Sequence, residues 1–142
     1  MTTPAGKPFP NPGPDAPVTA VADAFFDALS DQDFARVGSV FSDDIHLRAL
    51  LPAALREWDG PTGVEAAFTR WFGDTEAFEL VDTEVGLIGA RLYLRWRVRL
   101  QAERLDSGWQ VVEQQAYADL DGDRLSTMSL VCTGYLAESV DG

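Results

Sequence analysis

Two residue types on which much site chemistry depends are almost missing from this sequence of 142 residues, which has one Cys and one His. A lone cysteine excludes an internal disulfide, and one Cys with one His cannot build a Cys/His zinc site, so no metal is expected. Positive charge is also scarce: 11 Lys and Arg against 23 Asp and Glu leave a formal charge of −12. Nucleic-acid backbones are gripped by patches of Lys and Arg, so nucleic acid is not an expected partner. No apolar run approaches the roughly 20 residues of a membrane-spanning helix, so no membrane partner is expected either. The opening Met1-Thr2-Thr3-Pro4-Ala5-Gly6-Lys7-Pro8 has no apolar core behind its lysine and does not read as a secretory signal. A cytoplasmic location is the default expectation.

What the sequence does have is apolar content: 46% of its residues are hydrophobic and 11% aromatic, enough for the core of one domain. Proline is concentrated at the front, with Pro4, Pro8, Pro10, Pro12, Pro14 and Pro17 in the first 17 residues. Proline lacks an amide donor and has a fixed φ, so residues 1–17 read as a flexible tail and 18–137 as the domain, with a short tail over 138–142.

Within the domain the apolar spacing changes twice. Val18, Val21, Ala22, Phe25, Phe26 and Leu29 form one stripe of an amphipathic helix. Asp31 can cap a second, shorter helix with Phe34, Val37, Val40 and Phe41 on its inner face. Ser42-Asp43-Asp44 is expected to end it, and a strand to run from Ile45 to Leu51 before Pro52. A loop is expected up to Gly60-Pro61. Thr62 and Glu65 fit a capping box, ahead of a third stripe of Val64, Ala67, Phe68, Trp71 and Phe72. Four strands follow, over 76–88, 91–104, 109–120 and 125–136, with turn signals at Gly89-Ala90, Asp106-Ser107-Gly108 and Asp121-Gly122. Helices gathered ahead of an antiparallel sheet give an α+β class in the order α-α-β-α-β-β-β-β.

The alternation in 91–104 is strict and separates two faces. Leu92, Leu94, Trp96 and Val98 share one; Arg95, Arg97 and Arg99 share the other. If the hairpin at 106–108 opposes residues of equal parity, the arginine face also carries Glu113, Gln115, Tyr117 and Asp119. Opposite charges across strands contribute roughly 0.2–1 kcal/mol per pair. The apolar face then carries Val112, Gln114, Ala116 and Ala118 and must lie under the helices. The arginine row is open to two readings, an anion site or the outer face of the sheet, and the outer face is preferred, either wet or as a polar dimer interface.

The order and spacing of three segments resemble the nuclear-transport-factor-2-like superfamily, and within it SnoaL-like domains, over about residues 18–136. The segments are VADAFFDALSDQDFARVGSVFSDDI, EWDGPTGVEAAFTRWF and QQAYADLDGDRLSTMSLV. The resemblance implies a cone-shaped, curved antiparallel or mixed sheet wrapped around three N-terminal helices, with a ligand pocket at the wide end and frequent homodimers. Phe25, Trp58, Trp71, Trp96, Gln114 and Met128 are the implied ligand contacts, within walls that also include Phe26, Phe68, Leu94, Val112, Ala116 and Leu130. Residues of these types are more often plain core than ligand contacts. No cofactor is implied.

Residue by residue, the resemblance does not carry over a known catalytic set. The Tyr of ketosteroid isomerase-like members corresponds to Phe25, their base falls near Ala49, and their acidic donor near Gln114 or Gln115. The final strand, where SnoaL-like cyclases keep an Asp, reads Thr127-Met128-Ser129-Leu130-Val131-Cys132. Arg48 and Asp59 could contribute to an Asp-Arg-Asp network of the epoxide-hydrolase type. His46 titrates near neutrality and alternates with Arg48 on the first strand. If that face points inward, His46 is a candidate base and Arg48 an oxyanion partner; if outward, they are surface residues. In the layout the resemblance implies, Glu57 and Asp59 flank Trp58 at the pocket mouth, where an aromatic neighbour can raise a carboxylate's pKa by desolvation. Two functions therefore stand side by side. One is a pocket for a small apolar molecule, polycyclic or carbonyl-containing, with or without cofactor-free acid/base chemistry. The other is a non-enzymatic accessory domain with a filled interior, dimerising through the outer sheet face.

Overall fold

The computed structural model describes residues 16–105 and 108–138. Most of the proline-rich segment, the turn residues Asp106 and Ser107, and residues 139–142 lie outside the described residues.

The first helix, α1 (Ala16–Ser30), starts two residues before the expected domain boundary. Pro17 stands in its first turn, where a missing amide costs nothing. Its stripe of Val21, Ala22, Phe25, Phe26 and Leu29 is buried as the spacing predicts. The helix ends because Gln32 takes a left-handed φ of 55°. Gln32 then reaches with Nε2 to the carbonyl of Phe72 and the hydroxyl of Thr75, tying this corner to the end of the third helix. Helix α2 (Phe34–Ser39) is capped by Asp33, two residues after the expected cap, and the Asp33 carboxylate accepts from the amide of Arg36.

Strand β1 (Phe41–Leu50) begins four residues earlier than its apolar pattern suggests, so Ser42, Asp43 and Asp44 are strand rather than helix end. The expected loop after it holds a further strand, β2 (Leu55–Asp59), antiparallel to β1. Helix α3 (Gly60–Phe72) starts at once, with Asp59 in the cap position and no side-chain cap bond. Thr62 is inside the first turn, so the expected capping box does not form: the β2 hairpin, not a threonine–glutamate signal, sets where the helix begins.

Strands β3 (Ala77–Ile88), β4 (Arg91–Gln101), β5 (Gln110–Asp121) and β6 (Arg124–Cys132) complete the sheet. A two-residue strand, β7 (Leu136–Ala137), pairs with the start of β5. The expected last strand thus breaks at Thr133–Tyr135, where Gly134 has φ +79°. The sheet order is β2-β1-β6-β5-β4-β3, open, curved and mixed, since β1 runs parallel to β6 and every other pair is antiparallel.

The β4–β5 register opposes Leu94 to Ala116, Arg95 to Gln115, Trp96 to Gln114 and Arg97 to Glu113, the equal-parity pairing expected of that hairpin. Leu92, Leu94, Trp96 and Val98 are fully buried under the helices. The Phe25 ring packs edge-on against Trp96 at 5.0 Å and Phe68 at 5.8 Å. Burying each such ring stabilises the fold by roughly 1.5–3 kcal/mol. On the opposite face Arg95 pairs with Asp82 and Glu84, Arg97 with Glu113, and Arg99 with Glu79 and Glu138.

Candidate functional site

At the end of the domain away from the β3–β4 hairpin, a cavity of about 420 Å³ opens between three elements. The β1–β2 loop supplies Leu51, Pro52 and Ala53; the last turn of α3 supplies Trp71 and Phe72; the end of β6, the turn after it and the start of β7 supply Cys132 to Leu136. Its floor is β5, through Val112 and Gln114. The loops meet closely: a Cβ on Gly134 would lie 2.6 Å from Pro52 Cγ, so glycine allows both the left-handed turn and the approach of Pro52.

Most polar groups in this wall are already committed. Tyr135 donates its hydroxyl to the carbonyl of Trp71 at 2.6 Å and accepts from Arg104 at 3.2 Å. Thr133 donates to the carbonyl of Gly134 and accepts from the amide of Glu113. Cys132 Sγ accepts from the amide of Gly134. Gln114 is different. It is fully buried, and its Oε1 accepts the indole N–H of Trp96 at 2.7 Å. An indole nitrogen can only donate, so this bond fixes the amide with oxygen toward Trp96 and leaves Nε2 elsewhere. That Nε2 is the only buried side-chain polar atom without a hydrogen-bond partner among the described residues.

Of the six expected ligand contacts, Trp71 and Gln114 line this cavity, and Trp58 lines an adjoining cleft. Phe25, Trp96 and Met128 do not line it. Their side chains are buried in the core, where Phe25, Phe26 and Phe68 occupy the space around the Trp96 ring. The hollow is therefore displaced from the Leu94–Trp96 surface toward the loops.

His46 and Arg48 point outward, because Ile45, Leu47 and Ala49 take the buried side of β1. Antiparallel pairing with β2 sets His46 opposite Asp59 and Arg48 opposite Glu57. The imidazole lies between two carboxylates, Nδ1 at 2.7 Å from Asp59 and Nε2 at 2.6 Å from Glu57. Both nitrogens face acceptors, so the bound form is the imidazolium. The bond to Asp59, then that to Glu57, raises its pKa above the ordinary value. The inward condition for a base and oxyanion partner is not met: the sheet separates this group from the cavity. Arg48 instead borders a shallow outer depression with Leu50, Leu55, Tyr117 and Val131.

Among the described residues no cluster of His, Cys, Asp or Glu has the arrangement to hold a metal ion, and no helix is long and apolar enough to cross a membrane. The cavity walls that sequence reasoning missed are Leu51–Ala53, Phe72 and Cys132–Leu136. The signals for the two loop segments were Pro52 and Gly134, each interrupting an apolar run.

No protein-family model matches the sequence, and no curated protein is similar to it. Solved structures are similar in fold. One is a hypothetical protein of ketosteroid isomerase-like fold from Catenulispora acidiphila in complex with trimethylamine, with TM-score 0.63, 12% identity, and coverage of 78% of this chain and 82% of that one. Another is an NTF2-like protein of unknown function from Burkholderia pseudomallei, with TM-score 0.62, 15% identity, and coverage of 82% and 90%. A third is an LEH-like epoxide hydrolase from M. tuberculosis, with TM-score 0.59, 19% identity, and coverage of 82% of each chain. At these identities the likeness is one of fold: the chain has the α+β cone of NTF2-like structures.

Proposed function

We propose that this chain binds a small, mostly apolar molecule, polycyclic or carbonyl-containing, in the cavity floored by Gln114, and that it binds without turning the molecule over. The observation that carries the reading is the unmet donor of Gln114. A buried polar group without a partner costs roughly 1–3 kcal/mol, which a ligand oxygen accepting from Nε2 would return. The remaining wall is mostly apolar, with the hydroxyls of Thr133 and Tyr135 already hydrogen-bonded, and a volume of about 420 Å³ is within the range of small-molecule sites. Binding without turnover is supported by the lining, which includes no carboxylate, histidine or lysine among the described residues. On this reading His46, Arg48 and Asp59 touch no cavity ligand, and His46→Ala and Asp59→Asn leave its affinity unchanged.

A second copy of the chain is the proposed protein partner, meeting the outer sheet face where Leu50, Leu55 and Val131 are about half exposed around Tyr117. The one cysteine is free, which suits a reducing, cytoplasmic setting.

The test is calorimetric titration with 2-acetylnaphthalene and with its hydrocarbon analogue 2-ethylnaphthalene. The ketone is expected to bind about fivefold more tightly, in line with one added hydrogen bond, and Gln114→Leu to erase that preference. No binding of either compound, or a preference that survives in Gln114→Leu, overturns the reading.

A further inference from the structure

Beside the cavity, and sharing Leu51, Ala53 and Trp71 with it, lies a cleft of about 210 Å³ between β2 and α3. Two tryptophans and two arginines line it: Trp58 and Arg56 from β2, Trp71 and Arg70 from α3. The register explains why Arg56 is there. Trp58 is opposite Leu47 and Arg56 opposite Ala49, both buried on the concave face of β1, so the β2 pair is turned to the same concave side.

Neither cleft arginine is held in an ion pair among the described residues. Arg36, Arg91, Arg95, Arg97, Arg99 and Arg104 each have a carboxylate partner. Arg48, Arg56, Arg70 and Arg124 have none among the described residues, in a chain with twelve more acidic than basic side chains, and Arg56 and Arg70 line one cleft together. An arginine in the last turn of a helix, such as Arg70, complements the helix dipole, and a charge on an edge strand such as β2 discourages pairing with other sheets. Those roles account for each arginine singly. They do not account for both lining one cleft unpaired, beside Trp58 and Trp71 packed edge to face at 5.5 Å.

We infer that this cleft is a carboxylate subsite, and that the ligand is an aromatic or polycyclic carboxylic acid whose flat body enters the cavity while its anion is held by Arg56 and Arg70. Guanidinium groups match carboxylate geometry with parallel N–H donors, and a planar body packs well against indole rings. The placement of the body rests on the cavity reading above; the anion contact does not.

The experiment titrates wild type and Arg56→Gln/Arg70→Gln with two probes of nearly equal size, 2-naphthoate and the neutral 2-acetylnaphthalene. In the double variant the dissociation constant for naphthoate is expected to rise about tenfold or more, and that for the ketone to stay within about twofold. Arg56→Lys/Arg70→Lys keeps the charge without the fork and falls between. Added salt weakens naphthoate binding to wild type more than ketone binding. Both arginines are exposed, and unchanged near-ultraviolet circular dichroism identifies a folded double variant. Naphthoate binding that is absent in wild type, or equally tight in the double variant, overturns the inference. Arginine-dependent binding of naphthoate with no binding of the ketone overturns the cavity reading instead and leaves the carboxylate site standing.

Discussion

Trp96 and Gln114 are directly opposite one another on β4 and β5, and the indole N–H of the first meets the amide oxygen of the second at 2.7 Å inside the core. This one bond orients the amide and leaves its Nε2 without a partner. Trp96→Phe removes the donor, leaves Oε1 orphaned and opens space among Phe25, Phe26 and Phe68. The expected loss is on the order of 3 kcal/mol in denaturant unfolding. Trp96→Phe/Gln114→Met, which removes both polar partners, should recover part of it. A double variant no more stable than Trp96→Phe would show that the pair is not coupled as described.

Gly134 and Pro52 close the cavity mouth against each other. Gly134→Ala must hold a side chain at φ +79° and push a methyl into the Pro52 ring. The left-handed conformation alone costs roughly 1–2 kcal/mol. Thermal unfolding should therefore occur at lower temperature, and 2-acetylnaphthalene should bind more weakly as the β1–β2 loop is displaced. Adding Pro52→Ala relieves the contact but not the backbone strain, so it should restore binding more than stability. Unaltered stability in Gly134→Ala would contradict the described turn.

His46 gives the fold a dependence on pH near neutrality. Its folded-state pKa is raised above 6.5, by the Asp59 bond first and the Glu57 bond second. The stabilisation is thus fully present below pH 6.5 and is lost as pH rises through the higher folded value. Nuclear magnetic resonance titration of the imidazole should give a midpoint above that of an unstructured peptide, and Glu57→Gln/Asp59→Asn should return it. A wild-type midpoint at or below the peptide value would remove the bridge.

Arg99 works in the opposite sense. It holds Glu138 through two bonds at 3.0 and 2.9 Å, lies over the Trp109 ring, and lowers the Glu138 pKa from its ordinary value of 4.5. That contribution is present above pH 4.5 and lost as pH falls through the lower folded value. In Arg99→Gln the carboxyl resonance of Glu138 should titrate near 4.5, and β7 should exchange its amides faster. A Glu138 titration unmoved by the substitution would assign the shift to another cause.

Several features were legible before any coordinates because they follow from periods. The strict alternation of 91–101 divides leucine and tryptophan from arginine whatever the rest of the chain does, and the helical stripes of 21–29 and 64–72 leave only one side to bury. Alternation also held the answer for His46, since Ile45, Leu47 and Ala49 claim the inner side of β1 and leave His46 and Arg48 outside. Strand β2 escaped notice because an edge strand needs no alternating apolar face: Leu-Arg-Glu-Trp-Asp turns only Arg56 and Trp58 toward the concave side.

The sequence by itself thus determined the class of fold and which side of the central strands meets the helices, since burial of a periodic apolar face is a local demand repeated many times. Only the tertiary structure decided where the hollow lies, that Gln114 keeps one unmet donor, and that Arg56 and Arg70 share a cleft without a counter-charge. Each of these depends on side chains brought together from distant segments by non-periodic turns, and no spacing along the chain encodes such a meeting.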